Sequence, residues 1–324
     1  MQVQIYFMKK TFLGIIFTFI MITGCSARQG DTVNNGINAS GIINSINKGK
    51  AVLIKDKIIT DDLDFSKIKR HDVFSSSLEI ARVDVPVTFL NCIFMGKVLT
   101  NGMQSERQVN TQFGSSVTFE ACDFRGDADF SNSTVDGMVN FTGAIFREKA
   151  LFNNVTFKGR QVYFTAFTSE KLFSMQESRI EGAIDFFKAR VTGKVSFQST
   201  DFWGTARFSD IDCNGKSDFS LTNFRSDVLF TYANFADEFR MANATIVGRL
   251  DLISVSFQSN AWLTNSVFSG KVNLTKTEAK ARFDLSGSLF VAGRPVTDEF
   301  VVLPSAELIT TGTQFATFKD YNNE

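Results

Sequence analysis

The sequence predicts an all-β chain wound as a parallel β-helix. Three observations carry that expectation. First, large apolar residues recur in alternating steps of five and six, as in SDFSLTNFRSDVLFTYANF (217–235) with Phe219, Phe224, Phe230 and Phe235. Neither the 3.6-residue period of a helix nor the period of two of a plain strand gives that spacing. Second, the residue two before each large one is usually small or apolar, and the residue between them is often Asp or Asn. Third, the chain holds 36 Phe against 4 Tyr, 2 Trp, 3 Pro and 1 His. So many rings must be buried, each contributing roughly 1.5–3 kcal/mol once removed from water.

The repeat can be followed residue by residue. One series steps by eleven through Phe164, Met175, Phe186, Phe197, Phe208, Phe219, Phe230, Met241, Leu252, Leu263, Leu274 and Leu285. A second lies five residues later: Ser169, Ile180, Val191, Phe202, Cys213, Phe224, Phe235, Ile246, Phe257, Phe268, Ala279 and Phe290. Upstream both continue one residue out of register, through Phe119, Phe130, Phe141 and Phe152 and through Phe124, Val135, Phe146 and Phe157. A single extra residue in KGRQVY (158–163) accounts for the slip. Self-similarity at a fixed period marks a repeat architecture, so the chain length does not imply two domains. Residues two apart in extended chain share a side. Each motif therefore buries a small residue and then a large one, as in Val117/Phe119 and Cys122/Phe124, and turns Asp123, Asp129, Asn140 or Asp218 to water. Gly, Ser, Thr, Lys and Arg after the large residue suit a corner. A strand too short to continue, then a corner, then another strand, must coil.

The segments ACDFRG (121–126), TNFRS (222–226) and ANFAD (233–237) resemble the pentapeptide-repeat family, whose motif is a small residue, Asp or Asn, Leu or Phe, and two variable positions. The resemblance runs from Ile59 to Phe290, most strongly from Phe119, and its alternation of five and six is that of the Phe-rich variants. It implies a right-handed, quadrilateral parallel β-helix. The Phe residues of both series then form stacked core columns. At four motifs per coil, residues 119–290 make roughly eight coils and a rod near 40 Å long.

The flanks complete the layout. Met8-Lys9-Lys10, the apolar run TFLGIIFTFIM (11–21) and Ile22-Thr23-Gly24-Cys25 resemble a bacterial lipoprotein signal, with a run too short to span a bilayer. By that resemblance residues 1–24 are removed and Cys25 carries the lipid, which ties the chain to a membrane of the bacterial cell envelope. Ser26 resembles the pattern sorted to the outer membrane of a Gram-negative cell. Residues 25–38 are expected to form a flexible tether. Residues 39–50 are expected to form a capping helix begun by Ser40, carrying Ile42, Ile43 and Ile46 and closed at Gly49. The solenoid is assigned to 51–290, interrupted at 95–116 by a loop or hairpin turning at Asn101-Gly102. Residues 291–324, with Pro295 and Pro304, are expected to break the repeat and cap the last coil. Whether that cap also makes a dimer contact is left open.

The sequence shows little chemistry. Lys plus Arg equals Asp plus Glu at 34 each, and loss of Lys9 and Lys10 with the signal leaves 32 against 34. That balance argues against a nucleic-acid partner, and against the acidic DNA-mimic role with which some pentapeptide-repeat proteins bind gyrase. His71 stands in a charged stretch, KIKRHDVF, and is expected at the surface. Cys92, Cys122 and Cys213 fall on inward positions and are expected to be buried thiols; Cys92 and Cys122 would be able to pair if their coils stack. The pairs Asp127/Asp129 and Asp210/Asp212 follow from the repeat. Trp203, Tyr232 and Trp262 fall on outward positions as a candidate contact patch for a protein or sugar. No cofactor or metal motif is present. The expected function is a non-catalytic envelope scaffold for protein or glycan interaction, with a β-helix enzyme acting on envelope polysaccharide as the alternative.

Overall fold

A computed structural model describes residues 35–316; the segment resembling a lipoprotein signal, Cys25 and the final residues lie outside that range. The chain winds as a parallel β-solenoid with four faces. The first complete coil occupies residues 52–83 and the second 87–113. The third shows the plan: Val117–Glu120 on face one, Asp123–Phe124 on face two, Ala128–Asp129 on face three and Thr134–Val135 on face four. Each face is a continuous sheet, of ten, twelve, eleven and thirteen strands respectively. Val117 pairs with Val139, 22 residues on, whereas Val139 pairs with Val162, 23 residues on. The extra residue is absorbed in the corner before Gln161–Tyr163, and the coils that follow keep a spacing of 22 as far as Phe290.

The core is the predicted set of columns. Phe119, Phe141, Phe164, Phe186, Phe208 and Phe230 stand one above another inside face one, all buried. Rings one coil apart stack at 4.9–5.4 Å, for example Phe208 on Phe230 at 4.9 Å. The face-three column, including Phe130, Phe152, Phe197 and Phe219, meets it edge-on, with Phe219 and Phe230 at 5.3 Å and 89°. Phe124, Phe146, Phe235 and Phe257 line face two. Phe157, Phe202, Phe224, Phe268 and Phe290 line face four. At Ser169 the sizes are exchanged: Phe167 fills the small position and Ser169 the large one, and both are buried.

The alternation of five and six is an alternation of corner types. Each five-residue step turns through a residue of positive φ placed two after the large side chain, such as Lys188 (57°), Leu221 (60°) and Tyr232 (62°). The Asp or Asn before the large residue secures that corner by accepting from the amide two residues on: Asp129 from Ser131, Asp185 from Phe187, Asp218 from Ser220 and Asp284 from Ser286, at 2.7–2.9 Å. Six-residue steps turn differently, and there glycines lie against the preceding coil. A Cβ on Gly193 would fall 1.9 Å from the Lys171 carbonyl oxygen.

The ends differ from the sequence expectation. Helix α1 is Ala39–Asn47, so Ser40 is inside it; Asn38 is the N-cap and makes no side-chain cap bond. Asp61, from the first coil, accepts from the Ala39 amide at 2.8 Å instead, satisfying one of the orphan donors of the helix start. Gly36–Ile37, placed in the tether by sequence, pair in parallel with Ile58–Ile59 as the first strand of face two. At the other end, 291–316 do not leave the solenoid. Val301–Val302, Leu308–Ile309 and Gln314–Phe315 add a further coil in parallel register, with longer loops between them. Phe300 packs on Phe283 and Phe315 on Phe290, both at 5.3 Å.

Candidate interaction surface

Two excursions depart at the same corner, between faces three and four, in the first two coils. The first gives strands β1 (His71–Val73) and β2 (Leu78–Val83); the second gives β3 (Asn101–Gln104) and β4 (Arg107–Phe113). Each is an antiparallel hairpin, and β2 pairs with β4 in parallel through six residues. The result is a four-stranded sheet in the order β1-β2-β4-β3, growing out of face four. The expected hairpin in 95–116 is present, but Asn101-Gly102 lie within β3. The turn is Ser105-Glu106, both at positive φ, as a two-residue hairpin turn requires.

One side of this sheet is held down. Val109 is fully buried, and Gly102 lies so close to Ser66 that a Cβ would meet its Oγ at 2.8 Å. Gln104 Nε2 donates to the Ser66 carbonyl. Glu79 on β2 ties three strands together: Arg107 Nη1 donates to its Oε1 at 2.6 Å, and His71 Nδ1 lies 2.9 Å from its Oε2. The Arg107 bond, followed by that of His71, holds the Glu79 carboxyl below the usual carboxylate range. His71 is thus a strand residue with a carboxylate partner and a side chain only 15% exposed, not a surface loop residue.

The far end is apolar and open. Phe74 donates its amide to Leu78, Leu78 pairs with Gln108, and Gln108 with Met103, so the four residues stand in one row across both hairpin tips. Phe74 is 76% exposed, Val73 67% and Met103 65%. The strands β1 and β3 are the free edges of the sheet, with backbone groups available for another strand. Val73, Phe74 and Glu79 fall outside the predicted excursion. The signal for them was the apolar alternation of LEIARV (78–83) and the long gap between the motifs ending at Phe65 and Phe89.

The structure does not bring Trp203, Tyr232 and Trp262 together. Trp203 follows face four, where Arg179 and Arg225 stack on its two neighbouring levels at 4.1 and 4.7 Å and its Nε1 donates to Asp201 at 2.7 Å. Trp262 is on face three, beneath Arg240 at 4.4 Å. Tyr232 projects from the corner between faces one and two. Three separate faces replace the expected patch. Asp127 accepts from the Lys149 amide and Asp129 from that of Ser131, so this acid pair serves the corners. Among the described residues, no cluster of three or more His, Cys, Asp or Glu is placed to hold a metal. No helix among them is long and apolar enough to cross a membrane.

Residues 109–145 and 119–166 match the family model for pentapeptide repeats, with 9 copies. The matched span carries pentapeptide repeats. It covers strands of all four faces and all of β4 but its first two residues. No curated protein and no solved structure matches the chain.

Proposed function

We propose that this chain is a non-catalytic, lipid-anchored scaffold of the bacterial cell envelope, whose projecting sheet holds a partner protein. The observation that carries this reading is the row at the hairpin tips, in which Phe74, Leu78 and Met103 stand with Gln108 and Phe74 and Met103 are exposed. Single exposed hydrophobics are ordinary, but Phe74 and Met103 come from different insertions and are brought into line by a dedicated sheet. A rigid column of stacked Phe rings is a suitable mount, because the tip moves only if two coils move with it. The non-catalytic part is supported by the use of the repeated Asp and Asn side chains as corner ties and cross-coil ion pairs, among them Asp123 with Arg147 and Asp201 with Arg225. Anchoring rests on the resemblance around Cys25, which a mature N-terminus bearing a diacylated cysteine would support and an unmodified soluble chain would remove.

The interaction is tested by affinity capture from detergent-solubilised envelopes, with the intact chain and with a Phe74→Ser/Met103→Ser variant. Both side chains are exposed, so the variant keeps the fold. A protein recovered by the intact chain and lost at least about tenfold in the variant is the expected result. Equal recovery would remove the tip from the account. Capture of nothing, together with turnover of an envelope glycan, would favour the enzyme.

A further inference from the structure

We propose that Cys92 and Cys122 form a disulfide that staples the second coil to the third. Both lie at the small inward position of face two, and Ile93 pairs with Asp123 in parallel, so the two cysteines occupy the same level of adjacent coils. The Asp123 amide donates to the Cys92 carbonyl at 2.8 Å. Neighbouring strands run about 4.8 Å apart, inside the roughly 4.4–6.8 Å Cα separation that a disulfide spans. Both side chains are buried in the core. In the structure both are free, buried thiols. Each sulfur points toward backbone carbonyls, Cys92 Sγ at 3.4 Å from Leu90 O and Cys122 Sγ at 3.5 Å from Glu120 O.

The pair differs chemically from the remaining described cysteine. The nearness of the two thiols lowers Cys92 from the ordinary thiol range, and the same nearness, then burial, raises Cys122. Cys213 stacks between Val191 and Phe235 with no thiol above or below, and burial pushes it up to about 12. Nearby thiols and one acidified sulfur are what thiol–disulfide exchange requires. The oxidant is a disulfide, R–S–S–R, of a small molecule or an oxidase. The Cys92 thiolate attacks one of its sulfurs and expels RS⁻, leaving a mixed disulfide. Cys122 then loses its proton to the expelled thiolate and attacks the Cys92 sulfur, expelling a second RS⁻ that takes up the proton of the original Cys92 thiol. Two protein thiols become one disulfide, and R–S–S–R becomes two RSH. Burial of both sulfurs means that the bond forms while the second coil is closing or transiently open.

The test is to refold the full chain from urea in an oxidised/reduced glutathione buffer, quench with N-ethylmaleimide, and map tryptic peptides. Expected is a linked pair of residues 83–97 and 108–125, with Cys213 recovered alkylated. Oxidation also raises the melting temperature of the parent chain by about 5 °C and leaves that of Cys122→Ala unchanged. Ala144, Ala189 and Ala233 occupy the same column, so that variant folds. If both peptides are recovered singly alkylated, or if Cys213 links as often as Cys122, the proposal is overturned. The peptide map of the parent chain decides this without the variant.

Discussion

Replacing Phe219 with Ala tests the stacked-column core most directly. Its ring is fully buried, with Phe197 stacked at 4.9 Å, Phe208 and Phe230 edge-on at 5.2 and 5.3 Å, and Phe239 at 5.5 Å. Core Phe-to-Ala changes cost about 3–5 kcal/mol, the larger values arising where the site does not collapse. Collapse is blocked here. The strands on either side, Val195–Ser196 and Phe239–Arg240, are held in register by backbone hydrogen bonds, and the gap has rings above, below and beside it. The expected loss is therefore at the upper end, about 4–5 kcal/mol. Phe219→Leu is expected to cost only about 1–1.5 kcal/mol, because Leu263 and Leu285 already occupy the same column. Urea unfolding followed by circular dichroism measures both. Hydrogen exchange should place the Ala damage in the coils around residues 197–241, since each repeat contacts only its neighbours. An Ala variant that loses less than about 1.5 kcal/mol, or a Leu variant as damaged as Ala, would refute the packed column.

Three further outcomes follow from single observations. Gly193→Ala should destabilise by more than the usual Gly-to-Ala change and disturb the corner of the preceding coil, because its Cβ meets the backbone of Lys171; an unchanged urea midpoint would count against that corner geometry. Ser169→Ala should stabilise the chain by about 1 kcal/mol, since the buried Ser169 hydroxyl has no hydrogen-bond partner and the Phe167 exchange leaves room for a methyl; a lower melting temperature would show that a partner exists. Glu79 has a depressed folded-state pKa, so its contribution is present above the unfolded carboxylate pKa and is lost as pH falls through the folded value. Nuclear magnetic resonance of the Met103 methyl should report the hairpins loosening below the ordinary carboxylate range, and Glu79→Gln should abolish that transition; a variant that titrates like the parent chain would exclude Glu79 as its origin.

The columns were legible because burial leaves a direct mark on composition. A position that faces the core of every coil is apolar in nearly every coil, Ser169 being the exception among the large positions of 119–290, and stepping by eleven from Phe219 finds the column. The corners were less legible. Lys188, Leu221 and Tyr232 sit at positive φ against their own preference, because coil closure, and not local propensity, sets that angle. The candidate site was half visible. An excursion at 95–116 could be read from the interrupted repeat, but its union with β1 and β2 could not. His71 looked like a charged loop residue because its partner Glu79 is supplied by the opposite strand of a hairpin. Trp203 and Trp262 looked like a shared patch because outwardness is readable in sequence and the choice among four faces is not.

The sequence by itself determined a coiled all-β wall, its inward columns, the one-residue slip near 158–163 and the inward placement of Cys92, Cys122 and Cys213. All of these depend on which side of a short strand a residue faces, and a period of two within each strand records that. Only the tertiary structure decided that two insertions from one corner join into a single sheet, that the last coil continues to Phe315, and that Cys92 and Cys122 share a level. Those facts depend on contacts between coils, whose register is set by backbone hydrogen bonds that every residue but proline makes alike.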